Sequence, residues 1–142
     1  MKTFQADVTI NAEPETVWAI LTDAAGYPDW DPTVIRIEGT IAAGNKITAI
    51  SKLAPDRKFP VTVSMFDAPH KMEWSSGMPF GLFKGVRSFT LTPQDGGTHF
   101  EVREAFSGPM LALIGGTIPD MTEPFAQFSE GLKAHAEAGG KA

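Results

Sequence analysis

The chemistry of this chain is placed by a two-residue turn. Asp95-Gly96 is a favoured hairpin turn, and with those two residues at the tip, residue 94 faces residue 97. Counting outward sets Leu91 opposite Phe100, Phe89 opposite Val102 and Arg87 opposite Glu104, all on one face. That face is the apolar, inward one, and the other carries Ser88, Thr90, Thr92, His99, Glu101 and Arg103, as a solvated face does. Arg87 and Glu104 are therefore predicted to form a cross-strand ion pair that faces the interior, at the end of the hairpin remote from its turn. Two readings are open. The pair is structural, satisfying two charges near the end of a sheet, or it orients the polar end of a bound molecule. Such a pair suits anchoring or a weak general base better than a general acid. A slip of one residue in the turn would put both side chains outside.

Three connections share that end of the sheet, because alternate connections of an antiparallel meander fall at one edge: Leu53 to Pro60, Gly77 to Gly85 and Ser107 to Ile118. The middle one reads Met78-Pro79-Phe80-Gly81-Leu82-Phe83, very apolar for a strand connection. Exposed at a loop tip, Phe80, Leu82 and Phe83 would form an apolar patch in need of a partner. They fold over the core or a homodimer contact, line a ligand entrance, or touch a membrane. Trp74 shares a face with Met72 and Ser76, which suits either cavity lining or packing. Trp18 and Trp30 read as core, and Asp29 and Asp31 as turn caps.

Other chemistries find no support. His70 falls in a turn, His99 on the outer face and His135 near the end of the last helix, so no pair has metal-ligand spacing. No serine stands in a nucleophile elbow, no glycine run matches a phosphate loop, and Tyr27 has no evident basic partner. Zero cysteines remove disulfides, thiolate metal sites and cysteine nucleophiles together. No cofactor and no metal are expected. A net charge of -5 without a basic run argues against nucleic-acid binding. The 142 residues, 42% hydrophobic and 20% charged, are most simply one globular domain. Met1-Lys2-Thr3-Phe4 runs straight into a strand pattern, and no apolar run is long enough to span a bilayer. The expectation is a complete, cytoplasmic protein without stable membrane insertion.

The element that must organise the rest is the last helix, expected over roughly Pro119 to Glu137. Met121, Phe125, Phe128 and Leu132 recur at steps of four, three and four, forming one apolar stripe that needs a concave partner. Pro119, Asp120 and Glu123 suit its first turn, Lys133 and His135 its last, and Gly139-Gly140 its stop. Gly139 to Ala142 is expected to fray. The sheet lies upstream. Phe4, Ala6, Val8 and Ile10 alternate with polar residues as a first strand. Glu13-Pro14-Glu15 then starts a helix of about ten residues with Val17, Ile20 and Leu21 on its apolar side. Gly26 to Pro32 is too rich in proline for a long element, so Tyr27 and Trp30 pack inward from a compact turn. Six strands follow at about 34–39, 46–52, 59–67, 71–76, 85–93 and 98–106. Segment 107–118 is an apolar loop with a short helical piece that covers something.

The order is strand, short helical region, six strands, long helix: an α+β layer in which a curved sheet of about seven strands wraps one helix and leaves a cavity. The run Val8-Thr9-Ile10-Asn11-Ala12-Glu13-Pro14-Glu15-Thr16-Val17-Trp18-Ala19-Ile20-Leu21-Thr22-Asp23, followed by Tyr27-Pro28-Asp29-Trp30-Asp31-Pro32, resembles the polyketide cyclase/dehydrase-like families of the START-related (SRPBCC) superfamily. The resemblance runs the length of the chain and implies a helix-grip fold. It says almost nothing of chemistry, since the superfamily includes lipid carriers, hormone receptors, coenzyme Q-binding proteins and aromatic cyclases. In that superfamily the three apolar connections resemble the gate of a cavity. The expected ligand is a small hydrophobic or amphipathic molecule, lipid-, quinone- or polyketide-like. Its contacts are expected from Trp74, Phe80, Phe83, Phe89 and Val102, and from Phe106, Phe125 and Phe128, with Arg87 and Glu104 supplying orientation. One alternative is a cyclase or dehydratase in which Arg87 or Glu104 assists proton transfer or stabilises an enolate. Another is an interaction module whose cavity is filled by side chains.

Overall fold

The computed structural model of the chain describes residues 1–139. Its strands are β1 (Lys2–Ile10), β2 (Val34–Glu38), β3 (Lys46–Ser51), β4 (Phe59–Asp67), β5 (Lys71–Gly77), β6 (Lys84–Gln94) and β7 (Gly97–Ser107). Helix α1 (Pro14–Leu21) and a 3-10 turn over Ala24–Asp29 link β1 to β2, while α2 (Leu111–Ile114) and α3 (Thr122–Glu137) follow β7. The strands form one antiparallel, curled sheet in the order β1-β7-β6-β5-β4-β3-β2. Only β1 breaks the meander, crossing to pair with β7 along its whole length, Lys2 opposite Phe106 and Ile10 opposite Thr98. Bulges at Val34/Arg36 and Val63/Met65 add the local twist that a curled sheet needs.

The last hairpin has the register counted from its turn. Gln94 pairs with Gly97, Phe89 with Val102 and Arg87 with Glu104. Asp95 and Gly96 both take positive φ, 46° and 81°, as a tight hairpin turn requires.

Helix α3 begins three residues later than its sequence signals suggest. The Asp120 carboxylate accepts the Thr122 N–H at 2.9 Å, so it caps the first turn from outside it, and Pro119 stays in the connection. The same hydrogen bond holds the Asp120 carboxyl below its ordinary value. Phe125, Phe128 and Leu132 are buried along one stripe, joined by Ser129 and Ala136, and Met121 packs at its margin. Burying the three large side chains is worth about 1.5–3 kcal/mol each. At the far end Lys133 Nζ–H donates to the Thr9 carbonyl at 2.7 Å, and Glu137 accepts the Asn11 N–H at 2.8 Å. These two bonds pin the helix to the end of β1. The helix stops at Glu137 with Gly139 at φ 79°, and the expected stop at Gly140 and frayed tail lie partly outside the described residues.

Packing centres on Phe128. Its ring lies 5.0 Å from Trp30, 5.8 Å from Phe89, 6.1 Å from Phe100 and 6.4 Å from Tyr27. Tyr27 on the 3-10 turn and Trp30 just after it are buried, as the sequence suggests, and Trp18 meets Phe66 edge-on at 5.2 Å. Close approach of helix and turn depends on Gly131, where a Cβ would stand 2.1 Å from the Trp30 carbonyl oxygen. Gly131→Ala normally gains about 1 kcal/mol of helix propensity. Here it lowers stability by about 1–3 kcal/mol, because the obstructing atom is backbone. Urea denaturation reads the sign directly.

Candidate functional site

The curled sheet is wider than one helix can fill. Between α3 and the β2 side of the sheet lies a cavity of ≈ 580 Å³. Its walls come from every strand except β1: Val34 and Ile37, Ala49, Val61, Trp74, Arg87, and Val102 with Glu104 and Phe106. Phe125 and Phe128 of α3 close it from the opposite side. Its mouth is bordered by the three connections at that end of the sheet, through Leu53, Ala54 and Arg57, through Phe83, and through Ile114, Thr117 and Ile118. Two of these connections are joined, since the Met110 N–H donates to the Leu82 carbonyl at 2.9 Å.

Arg87 and Glu104 form the ion pair that the register demands. Arg87 Nε–H and Nη2–H both donate to Glu104 Oε1, at 3.1 and 2.8 Å, with side chains 28% and 13% exposed. The guanidinium also lies 5.0 Å from the centre of the Phe125 ring. Gly85 leaves the room the pair needs, for a Cβ there would stand 3.1 Å from the Phe106 ring and 3.4 Å from Glu104 Oε2. Two expected contacts sit elsewhere. Phe80 is 99% exposed at a loop tip, held outward by its left-handed backbone (φ 61°), and takes no part in the cavity wall. Phe89 is fully buried behind that wall, its ring 4.8 Å from Trp74 and 5.8 Å from Phe128, which cover it. The other expected residues, Trp74, Phe83, Val102, Phe106, Phe125 and Phe128, line the cavity with Arg87 and Glu104.

Sequence reasoning missed a buried charged group in the wall. Asp31 is only 4% exposed and lines the cavity. Its Oδ1 accepts both the Thr33 N–H, at 2.8 Å, and the Thr33 hydroxyl, at 2.6 Å. The turn-cap reading of Asp31 therefore holds, but it describes one oxygen; Oδ2 makes no hydrogen bond among the described residues. Burial pushes the Asp31 carboxyl above its ordinary value, opposed by the Thr33 hydrogen bonds and the Arg87 and Lys52 charges. Tyr27, also on the wall, donates its hydroxyl to the Leu21 carbonyl at 2.6 Å, and burial raises its pKa well above the ordinary phenol value. The Trp30 and Trp74 indole N–H groups are buried without an acceptor among the described residues, each a cost of about 1–3 kcal/mol. Among the described residues no cluster of histidine and acidic side chains is arranged to hold a metal ion, and no helix is long and apolar enough to cross a membrane.

A curled antiparallel sheet gripping a C-terminal helix over a lined cavity is the architecture of START-like, ligand-binding folds. The chain belongs to the family described as polyketide cyclase/dehydrase and lipid transport, which matches residues 1–137. Among solved structures, a START superfamily protein from Mycobacterium smegmatis is 17% identical, with a TM-score of 0.69 over 96% of this chain and 97% of that one. A protein from Thermus thermophilus is 19% identical, with a TM-score of 0.73 over 97% and 99%. A protein of the dynemicin biosynthetic locus is 15% identical, with a TM-score of 0.68 over 99% of this chain and 49% of its own. These likenesses show the fold alone. No curated protein matches in sequence.

Two measurements follow from the charges in the wall. Arg87→Met strands the largely buried Glu104 carboxylate and costs about 1.5–3 kcal/mol. Adding Glu104→Leu recovers at least half of it, so a double-mutant cycle shows strong coupling. Asp31 gives a pH signature. Its folded-state pKa is raised from 3.8, so its contribution to stability is complete below that value and is lost as the pH rises through the raised one. Asp31→Asn keeps an oxygen for Thr33 and removes this decline, which urea midpoints taken across the pH range reveal.

Proposed function

We propose that the protein binds a small hydrophobic or amphipathic molecule in the cavity between the sheet and α3, and carries or presents it. The observation that supports this best is the composition of the wall. Its aliphatic and aromatic side chains give burial, while a few convergent polar groups, Arg87, Glu104 and Asp31, stand where they fix orientation. The family's description includes lipid transport, in keeping with this reading. Arg87 spends two N–H groups on one oxygen of Glu104, leaving its others for a ligand.

One observation favours a second reading, a polyketide cyclase or dehydratase using the same cavity. A carrier needs no carboxyl of raised pKa at its wall, and Asp31 is one. Protonated, Asp31 can give its proton to the oxygen of the carbonyl under attack, while Glu104 accepts the α-proton of the attacking carbon and Arg87 stabilises the enolate that this creates. Binding is common to both readings, so binding is tested first.

Native mass spectrometry of the protein from its own host is expected to show a bound species absent from the denatured mass. Ala49→Phe, which fills the cavity from β3, is expected to weaken that binding by at least about tenfold, or 1.4 kcal/mol, with the fold intact. An empty protein that also refuses a panel of fatty alcohols, quinones and aromatic ketones overturns the binding reading and leaves a protein-interaction module. Turnover of an aromatic polyketone that is lost in Asp31→Asn while the molecule still binds selects the enzyme.

A further inference from the structure

The interior of the cavity carries more negative than positive groups. Two carboxyl groups, Asp31 and Glu104, stand in the wall with one guanidinium, Arg87. Each carboxyl has one oxygen engaged, Oδ1 of Asp31 by Thr33 and Oε1 of Glu104 by Arg87. Their other oxygens, Asp31 Oδ2 and Glu104 Oε2, make no hydrogen bond among the described residues. The remaining cation in the lining, Arg57, sits at the exposed mouth beside Phe59, where water screens it. A single guanidinium already committed to one carboxylate cannot also compensate a second carboxylate and an incoming anion.

We infer that the cavity is a charge filter that admits uncharged molecules bearing hydroxyl or other hydrogen-bond donors and rejects carboxylic and sulfonic acids of the same shape. This inference rests on the binding reading above and narrows its ligand class. A donor on the ligand meets Asp31 Oδ2 or Glu104 Oε2, and a carbonyl meets the free N–H groups of Arg87. An acidic headgroup in the same place meets two carboxylates in a poorly screened interior, at a loss on the order of tenfold or more in affinity. The raised pKa of Asp31 makes the filter adjustable. Asp31 faces Tyr27 of the 3-10 turn, which stays protonated, and feels Arg87 of β6 and Lys52 after β3. Lowering the pH through that raised value neutralises Asp31 and relaxes the exclusion of anions.

The test uses two fluorescent probes of one scaffold, neutral N-phenylnaphthylamine and its sulfonated analogue anilinonaphthalene sulfonate, titrated into the full chain. The neutral probe is expected to bind at least about tenfold more tightly near neutral pH, a gap of about 1.4 kcal/mol. Asp31→Asn narrows the ratio of the two affinities, and so does acidification of the unaltered protein, which reads the same charge without a substitution. Ala49→Phe weakens both probes, locating them in the cavity. Equal or tighter binding of the sulfonate, sensitive to Ala49→Phe, overturns the filter and leaves the binding reading standing. A gap that neither Asp31→Asn nor pH alters also overturns it, because the discrimination then lies elsewhere. If neither probe binds, the binding reading falls and the filter with it.

Discussion

The structure depends on the seating of one helix. Helix α3 is held against the sheet by Phe128, whose ring is the common neighbour of Trp30, Tyr27, Phe89 and Phe100. It is brought close to the preceding 3-10 turn by the missing side chain at Gly131. Its far end is tied to β1 by Lys133 and Glu137. Its main packing partners among the elements are β1, α1 and β7. The sheet curls on past the helix, and what the helix cannot reach becomes cavity. The empty space is a consequence of geometry, since one helix about 10 Å across cannot fill a concave face of seven strands.

That geometry also explains why charged groups persist in the wall. Arg87 and Glu104 sit at the end of the hairpin remote from its turn, where the inward face meets the cavity instead of the aromatic core. A few residues nearer the turn, the same face carries Phe89, Val102, Leu91 and Phe100, all buried. One strand face thus serves two environments. Asp31 reaches the cavity differently, from an irregular segment between the 3-10 turn and β2, where its first task is to bind Thr33.

Much of this was legible in the sequence, and the reasons differ from element to element. The hairpin register followed from Asp95-Gly96 because a tight turn leaves no freedom in counting outward. The α3 stripe followed from the spacing of Phe125, Phe128 and Leu132, although the helix start did not, because Asp120 caps from outside the first turn. Phe80 and Phe89 show the limit of reading cavity contacts from strand parity and apolar loops. Parity places Phe89 on the correct face but cannot say that Trp74 and Phe128 cover it. Composition marks the Phe80 loop as apolar but cannot see the left-handed φ that turns the ring outward. Asp31 was visible only as a turn cap, since its second role depends on where β2 carries that turn in space.

The division of the interior into a clamp and a hollow has a consequence for how such a chain can change. Residues that seat the helix, Phe128 above all, border the cavity too, so altering the pocket there disturbs the fold as well. The opposite wall carries less of that double duty, since Ala49 and Val61 only flank the core cluster to which Val34 and Ile37 belong. Val34, Ile37, Ala49 and Val61 line the hollow from β2, β3 and β4, whereas α3 packs mainly on β1, α1 and β7. Substitutions at Ala49 and Val61 reshape the chamber with less effect on the packing of the helix than those at Phe128. The β3–β4 part of that wall is thus where the hollow can change shape at least cost to the seating of the helix.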